Sequence, residues 1–405
     1  MSEARRLKVL FVDDESRVLQ GLQRMLRPLR DEWDMQFVES GEAALTEMAI
    51  EPFDVVVSDM RMPSMSGAEL LTRVMQQFPS TVRIILSGQA DKDLVHKTIG
   101  PTHQYLSKPC DAETLKATVD RAAKLRFLLS SDRLRTLTGK LDTLPSLPTL
   151  YLQLIKLLQH PNATLKAVGE LVAQDLGMSI KLLQLVNSAF FGLSRNVSSA
   201  IDAVNLLGVE TIQSLVLTSH VFSKLDAQQV ADFSMESVWQ HSLTVAGLAK
   251  AVALSEGLTK VQSEEAYMAG MLHDVGLVVL ATNIPEDFSK VLAMTKEQAR
   301  PMAACELEIL GATHTEIGAY LLGLWGLADP IVEAVAYHHA PRLCLNPLFC
   351  PLSAVHIADA LHHGVTGSMN CGSLDVHYLQ GLGLADHVPN WIALAEARSG
   401  GSRNG

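Results

Sequence analysis

The chain has 405 residues, 48% of them hydrophobic and 19% charged, with a formal net charge of −11. That length suits two or three domains, and the composition excludes a disordered chain. The acidity argues against a broad nucleic-acid-binding face.

Residues 7–125 alternate strand and helix. Strands are expected at 7–12, 33–38, 54–58, 82–86 and 103–106, with amphipathic helices near 16–27, 41–49, 67–77, 91–99 and 112–125. Five such repeats imply a five-stranded parallel sheet, doubly wound with helices on both faces. Leu7–Val12 runs into Asp13-Asp14, Val55–Ser58 into Asp59, Ile84–Leu86 into Ser87, and Tyr105–Ser107 into Lys108-Pro109. Ligands of open α/β sheets bind beyond the carboxyl ends of the strands. Three carboxylates gathered there need a cation, and oxygen ligands suit Mg²⁺. A lysine beside them can hold a phosphoryl oxygen. The reading is a magnesium-assisted aspartate phosphorylation site.

These residues, in this order, resemble the receiver domain of bacterial two-component response regulators (CheY-like). The resemblance implies that Asp59, inside Ser58-Asp59-Met60-Arg61-Met62-Pro63, accepts a phosphoryl group from a sensor histidine kinase. It implies Mg²⁺ held by Asp13, Asp14, Asp59 and the backbone carbonyl of Arg61, and switch roles for Ser87, Tyr105 and Lys108.

Beyond residue 111 a final helix continues outward. Leu115, Val119, Ala122, Leu125 and Leu129 recur at helical spacing, and Leu134, Leu137 and Leu141 resume it. Residues 126–143 read as a helical linker, either solvated or paired with its copy in a homodimer. From Leu-Pro-Ser-Leu-Pro (144–148) onward strand signals disappear and the chain reads as all-α. Helices are expected at 149–159, 164–174, 177–188, 199–206, 210–223, 236–255, 262–281, 286–298, 301–309, 313–323, 328–339 and 352–363. Residues 366–405 read as a helical extension, with Ser399–Gly405 as a disordered tail.

Ten of the fourteen histidines fall between 241 and 387. His241, His273-Asp274, His314, His338-His339 and Asp359 follow one another in an order that suits a metal site. His273 and Asp274 project about 100° apart on a helix, so both reach one site most easily near its end. This order resembles the HD superfamily of metal-dependent phosphohydrolases. Leu-Pro-Ser-Leu-Pro, Leu182–Gly192 (ending Asn-Ser-Ala-Phe-Phe-Gly) and Leu206-Leu207-Gly208 narrow the resemblance to the HDOD domain, over 144–365. It implies a regulatory or scaffold output, with Fe or Mn as the metal if one is bound. The enzymatic alternative is hydrolysis of cyclic di-GMP, as in the HD-GYP relatives. Three departures weigh against turnover: Ser237 where a ligating Glu is expected, Leu277 where a lysine often follows, and Ala340-Pro341-Arg342 in place of a Gly-Tyr-Pro loop.

Glu316 could touch a metal from the facing turn but reads as a solvated face, and His356, His362 and His363 flank Asp359 on one helix without being counted among the ligands. Cys110, Cys305, Cys344, Cys350 and Cys371, none in CxxC spacing, read as free thiols. The N-terminus, Met-Ser-Glu-Ala-Arg-Arg entering a strand directly, reads as lacking a signal peptide, and no apolar run approaches the roughly 20 residues needed to span a bilayer. The expectation is a cytoplasmic response regulator that acts on an unknown downstream signalling protein, without contact to DNA or membrane.

Overall fold

The computed structural model describes residues 6–88, 101–125, 129, 132–141, 145–146, 148–159, 163–187, 197–217, 223–224, 230, 233–344, 346–366 and 374–400. The expected helix at 91–99, most of Asn-Ser-Ala-Phe-Phe-Gly, and Cys371 lie outside the described residues.

The first unit contains β1 (Leu7–Val12), α1 (Ser16–Leu26), β2 (Trp33–Val38), α2 (Gly41–Ile50), β3 (Val55–Asp59), α3 (Gly67–Gln77), β4 (Val82–Ser87), β5 (Gln104–Ser107) and α4 (Ala112–Leu125). Its strands form one parallel sheet in the order β2-β1-β3-β4-β5. Every residue of β3 and β4 is buried, as a sheet covered on both faces requires. Burial of each Val, Ile or Leu there contributes about 1.5–3 kcal/mol. Strand register brings the ends together: Val12 lies opposite Ser58, Asp59 opposite Leu86, and Ser87 opposite Ser107.

Among the described residues of the expected linker, Leu129 and Leu134 are buried in the core rather than solvated. Helix α5 (Asp132–Gly139) buries Leu134 and Thr138. Arg83, fully buried in β4, donates to Gly139 O at 2.8 Å and to Pro101 O at 2.5 Å. Burial pushes its guanidinium pKa down to about 9. A side chain at Gly139 would meet Pro79 O at 2.0 Å, so only glycine lets the helix end come this close.

The second unit is helical: α6 (Pro148–Gln159), α7 (Leu165–Val172), α8 (Leu176–Val186), α9 (Ala200–Leu217), α10 (Met235–Ser255), α11 (Lys260–Leu272), α12 (Val275–Asn283), α13 (Pro285–Gln298), α14 (Met302–Leu310), α15 (His314–Leu324), α16 (Asp329–Tyr337), α17 (Pro351–Thr366), α18 (Val376–Gly381) and α19 (Val388–Gly400). A two-residue parallel pairing, Pro145-Ser146 with Ser223-Lys224, is the exception to its all-α character among the described residues. The expected helices 199–206 and 210–223 are one kinked helix, α9, whose bend is Gly208 at φ 79°. The expected helix 262–281 is broken at His273-Asp274, where α11 ends and α12 begins with Leu277 N–H donating to Asp274 O. Ser399 and Gly400 belong to α19 rather than to a disordered tail, and residues 401–405 lie outside the described set. No helix among the described residues is long and apolar enough to cross a membrane.

Candidate functional sites

At the carboxyl edge of the sheet, Lys108 Nζ lies 2.7 Å from Asp13 Oδ2 and 2.5 Å from Asp59 Oδ1. The Arg61 amide donates to Asp59 Oδ2 at 2.7 Å, and the Glu15 amide donates to Asp13 Oδ1 at 3.0 Å. Desolvation raises the Asp59 pKa against the opposing pull of Lys108 and the Arg61 amide, with Asp13 adding repulsion. Burial works against the Lys108 ammonium, yet its two carboxylate partners outweigh that and raise its pKa. One ammonium thus serves two acids. Ser87 is buried at the neighbouring strand end, where its carbonyl accepts the Lys108 amide at 2.8 Å. Asp14 and Arg61 are exposed beside the pocket, and Tyr105 is buried on β5. At Gly67, the N-terminus of α3, a Cβ would fall 2.1 Å from Asp59 O, so glycine is what lets α3 start against the acidic strand end.

The second site is built where α10, α11, α15, α16 and α17 converge. Gly270 opens the way: a Cβ there would lie 2.8 Å from Ala246 Cα, so α10 and α11 cross closely and His241 meets His273, Nε2 to Nε2 at 3.0 Å. All seven residues singled out by their order come together. They form two groups of potential donors, His241 with His273 and Asp359, and Asp274 with His314, His338 and His339. Asp274 lies between the groups. Its Oδ2 is 3.2 Å from His273 Nε2 and its Oδ1 is 3.5 Å from His314 Nε2 and 3.9 Å from His338 Nε2. Asp359 Oδ1 is 3.2 Å from His241 Nε2, and its Oδ2 is 3.7 Å from His339 Nδ1.

Outer partners fix three of the rings. His273 Nδ1 donates to Gly270 O at 2.7 Å and His338 Nδ1 to Val335 O at 3.0 Å, each the carbonyl one turn back. His314 Nδ1 faces Glu306, buried on α14. With Nδ1 occupied, each ring presents Nε2 inward, the arrangement that metal-ligating histidines adopt. His314 Nε2 and His338 Nε2 are fully buried and have no hydrogen-bond partner. A buried polar atom without a hydrogen bond costs about 1–3 kcal/mol, which a cation bound between these rings and Asp274 would relieve. Burial and the neighbouring charged rings hold His338 well below the usual histidine range. Burial likewise depresses His273, but Asp274 and Asp359 reverse this and lift it to about 9. The nitrogen-and-carboxylate donor set fits a first-row transition metal.

One flank of Asp359 and one residue outside the sequence pattern stand beside the donors. His363 Nε2 stands 3.1 Å from Asp359 Oδ1, one helical turn along α17. Glu306 had no sequence signal beyond an acid inside the apolar run Met302–Leu310. Glu316 is a capping residue, accepting the Thr313 amide at 2.8 Å. His356 is buried between His338 O and the Asp375 amide and points away from the donors. Leu277 is buried in α12, and Ser237 is exposed in the first turn of α10, donating its amide to the Ser234 cap.

Residues 9–120 match the family model for the response regulator receiver domain, and residues 144–341 match the model for the HDOD domain. Among curated proteins, an uncharacterized protein of Treponema pallidum is 26% identical over 204 residues, covering 50% of this chain and 39% of the relative. The hydrogenase transcriptional regulatory protein HoxA of Cupriavidus necator is 33% identical over 122 residues, covering 30% of this chain and 25% of HoxA. The chain therefore spans well under half the length of these relatives. Among solved structures, the MmoQ response regulator of Methylococcus capsulatus is 23% identical, with a TM-score of 0.49 over 62% of this chain and 98% of that one. A receiver domain from an HD domain-containing protein of Pseudomonas fluorescens is 38% identical, with a TM-score of 0.29 over 30% of this chain and 98% of that one.

Proposed function

From a chain that joins a response regulator receiver domain to an HDOD domain, we propose a phosphorylation-controlled regulator that acts in the cytoplasm. A sensor histidine kinase supplies a phosphoryl group to Asp59. Asp13, Asp14, Asp59 and the Arg61 carbonyl would hold Mg²⁺, which when bound would supply charge neutralisation to phosphoryl oxygens. Lys108 moves from its carboxylate partners toward the new phosphoryl group, Ser87 donates to it, and Tyr105 repacks. The HDOD domain is the output and engages a downstream signalling protein. The observation that carries this reading is the shared ammonium of Lys108, 2.7 Å from Asp13 and 2.5 Å from Asp59.

The test is incubation with acetyl phosphate and Mg²⁺ followed by intact mass measurement. Wild type gains one phosphoryl group and Asp59→Ala gains none. Pull-downs with the two forms then recover different partners. No mass gain, or identical partner sets, would sink the proposal.

His241, His273, Asp274, His314, His338, His339 and Asp359 would hold one or two Fe or Mn ions. Such ions supply Lewis-acid stabilisation to phosphoryl oxygens when bound. Two adjacent donor groups, with Asp274 of one 3.2 Å from His273 of the other, favour a second reading, hydrolysis of a cyclic dinucleotide. Against turnover stands Leu277, an apolar side chain where charge on the nonbridging oxygens calls for a cation. Metal analysis of the purified protein and release of linear dinucleotide from cyclic di-GMP with added Mn²⁺ decide between an enzyme and a metal-bearing regulatory module.

A further inference from the structure

One pair of antiparallel helices touches both sites' neighbourhoods. Helix α15 begins with His314 in the donor cluster and ends where Gly323 O accepts the Gln104 side-chain amide at 3.3 Å. Helix α16 begins with Asp329, whose Oδ1 pairs with Arg121 Nε at 2.7 Å, and is followed at once by His338 and His339. Arg121 also donates to Leu327 O in the turn between the helices. At a rise of 1.5 Å per residue the two helices run roughly 13–16 Å from one end to the other.

The receiver partners are connected to the phosphorylation site in turn. Gln104 opens β5, and Lys108 follows its last residue. Arg121 lies on α4, which follows Lys108-Pro109 after two residues. The Thr102 carbonyl just before β5 accepts Gln184 of α8 at 3.3 Å, so the same edge of the receiver grips the helical unit at a second place.

The hairpin has no slack along its length. Every residue of α15 from His314 to Leu324 except Glu316 is buried. A Cβ at Gly318 would lie 2.9 Å from Val275 and 3.3 Å from Val335, and one at Gly276 would lie 1.9 Å from His314 O. Close-packed helices move as bodies rather than deforming smoothly. A shift imposed at Gly323–Asp329 therefore reaches His314 at one helix terminus and His338-His339 at the other.

We propose that the hairpin 314–339, clasped to the receiver by Arg121 and Gln104, couples phosphorylation of Asp59 to the metal affinity of the His/Asp centre. The proposal rests on the reading that Asp59 is phosphorylated and that the centre binds metal. Linkage makes the effect reciprocal: metal at the centre shifts the phosphorylation equilibrium of Asp59 by the same factor.

The experiment uses the full chain in constant excess Mg²⁺. Free Mn²⁺ is followed by electron paramagnetic resonance to give its dissociation constant, with and without acetyl phosphate. Wild type should change its Mn²⁺ affinity by about fivefold or more on phosphorylation, within the usual range of allosteric coupling. Arg121→Ala should reduce that response to about twofold or less while still binding Mn²⁺ and still accepting phosphate. Asp329→Asn, on a side chain 81% exposed, is the second variant and should act in the same direction without disturbing folding. Equal affinities in both states of wild type, with both sites demonstrably loaded, overturn the coupling alone. A full response in both variants overturns the hairpin route. Failure of Asp59 to take phosphate, or of the chain to bind Mn²⁺, overturns the proposal together with the reading beneath it.

Discussion

His314 Nδ1 lies 2.9 Å from both carboxylate oxygens of Glu306, and Glu306 also accepts the His314 backbone amide at 3.0 Å. A single buried acid thus fixes the position, the ring orientation and the inward-facing Nε2 of one donor. Supporting partners of this kind are worth about 10–100-fold in metal affinity. Glu306→Gln should therefore weaken Mn²⁺ binding by about one to two orders of magnitude, read by titration against a chelator of known affinity. An unchanged dissociation constant would remove Glu306 from the centre.

The Lys108 ammonium is the counterion of Asp13 and Asp59 before any metal arrives. Lys108→Ala leaves two largely buried carboxylates facing each other. In Mg²⁺-free buffer the receiver should lose about 2 kcal/mol, the scale of a charge-assisted hydrogen bond. Mg²⁺ should restore most of that loss and should bind the variant more tightly than wild type, because no ammonium competes for the same oxygens. Thermal unfolding with and without Mg²⁺ measures both effects. A variant whose Tm responds to Mg²⁺ no more than wild type would contradict the competition.

The receiver edge was legible because its information is local. Each strand is a short apolar run, and the residue that ends it carries the chemistry, so order alone predicts which side chains meet. That the seven residues of the second cluster would come together was legible for a different reason: His and Asp are scarce in apolar helices, and their succession is specific. Glu306 escaped because burial of an acid is a tertiary fact. It lies in an ordinary amphipathic run, and only the fold turns it toward His314. The connector is half-legible for the same reason. Its leucines at helical spacing show an apolar face but not what covers it, and the Arg83–Gly139 bond that ties its end to the receiver spans 56 positions.

Gly276 and Gly21 form a matched pair of opposite sign. A Cβ at Gly276 would sit 1.9 Å from His314 O, so the turn after His273-Asp274 must move away from α15. Gly276→Ala should cost about 2–3 kcal/mol and also weaken Mn²⁺ binding, since Asp274 and His314 lie on either side of the contact. Gly21 lies inside α1 with nothing within 4 Å of the added methyl. Gly21→Ala should gain about 0.5–1 kcal/mol and leave metal binding untouched. Urea unfolding and Mn²⁺ titration on both variants check the pair; a tolerated Gly276→Ala would show that α12 and α15 can separate without consequence.

Glu256 ends α10 and receives two donors from the last segment of the chain. Trp391 Nε1 donates to its Oε1 at 2.8 Å, and His387 Nδ1 lies 3.0 Å from its Oε2. Trp391 is fully buried. Helix α19 packs on α10 and α17, the helices that carry His241 and Asp359. Helices α18 and α19 therefore bury Tyr378, Leu379 and Trp391 in the helical core. Trp391→Ala should cost about 3–5 kcal/mol, from lost burial and the cavity left behind. It also leaves Glu256 short of a donor. Trp391→Phe keeps most of the volume and loses only the indole donor, so it should cost about 1–2 kcal/mol. The ratio of the two losses separates packing from the hydrogen bond, and chemical unfolding of both variants measures it. A Trp391→Ala protein as stable as wild type would place α19 outside the cooperative unit.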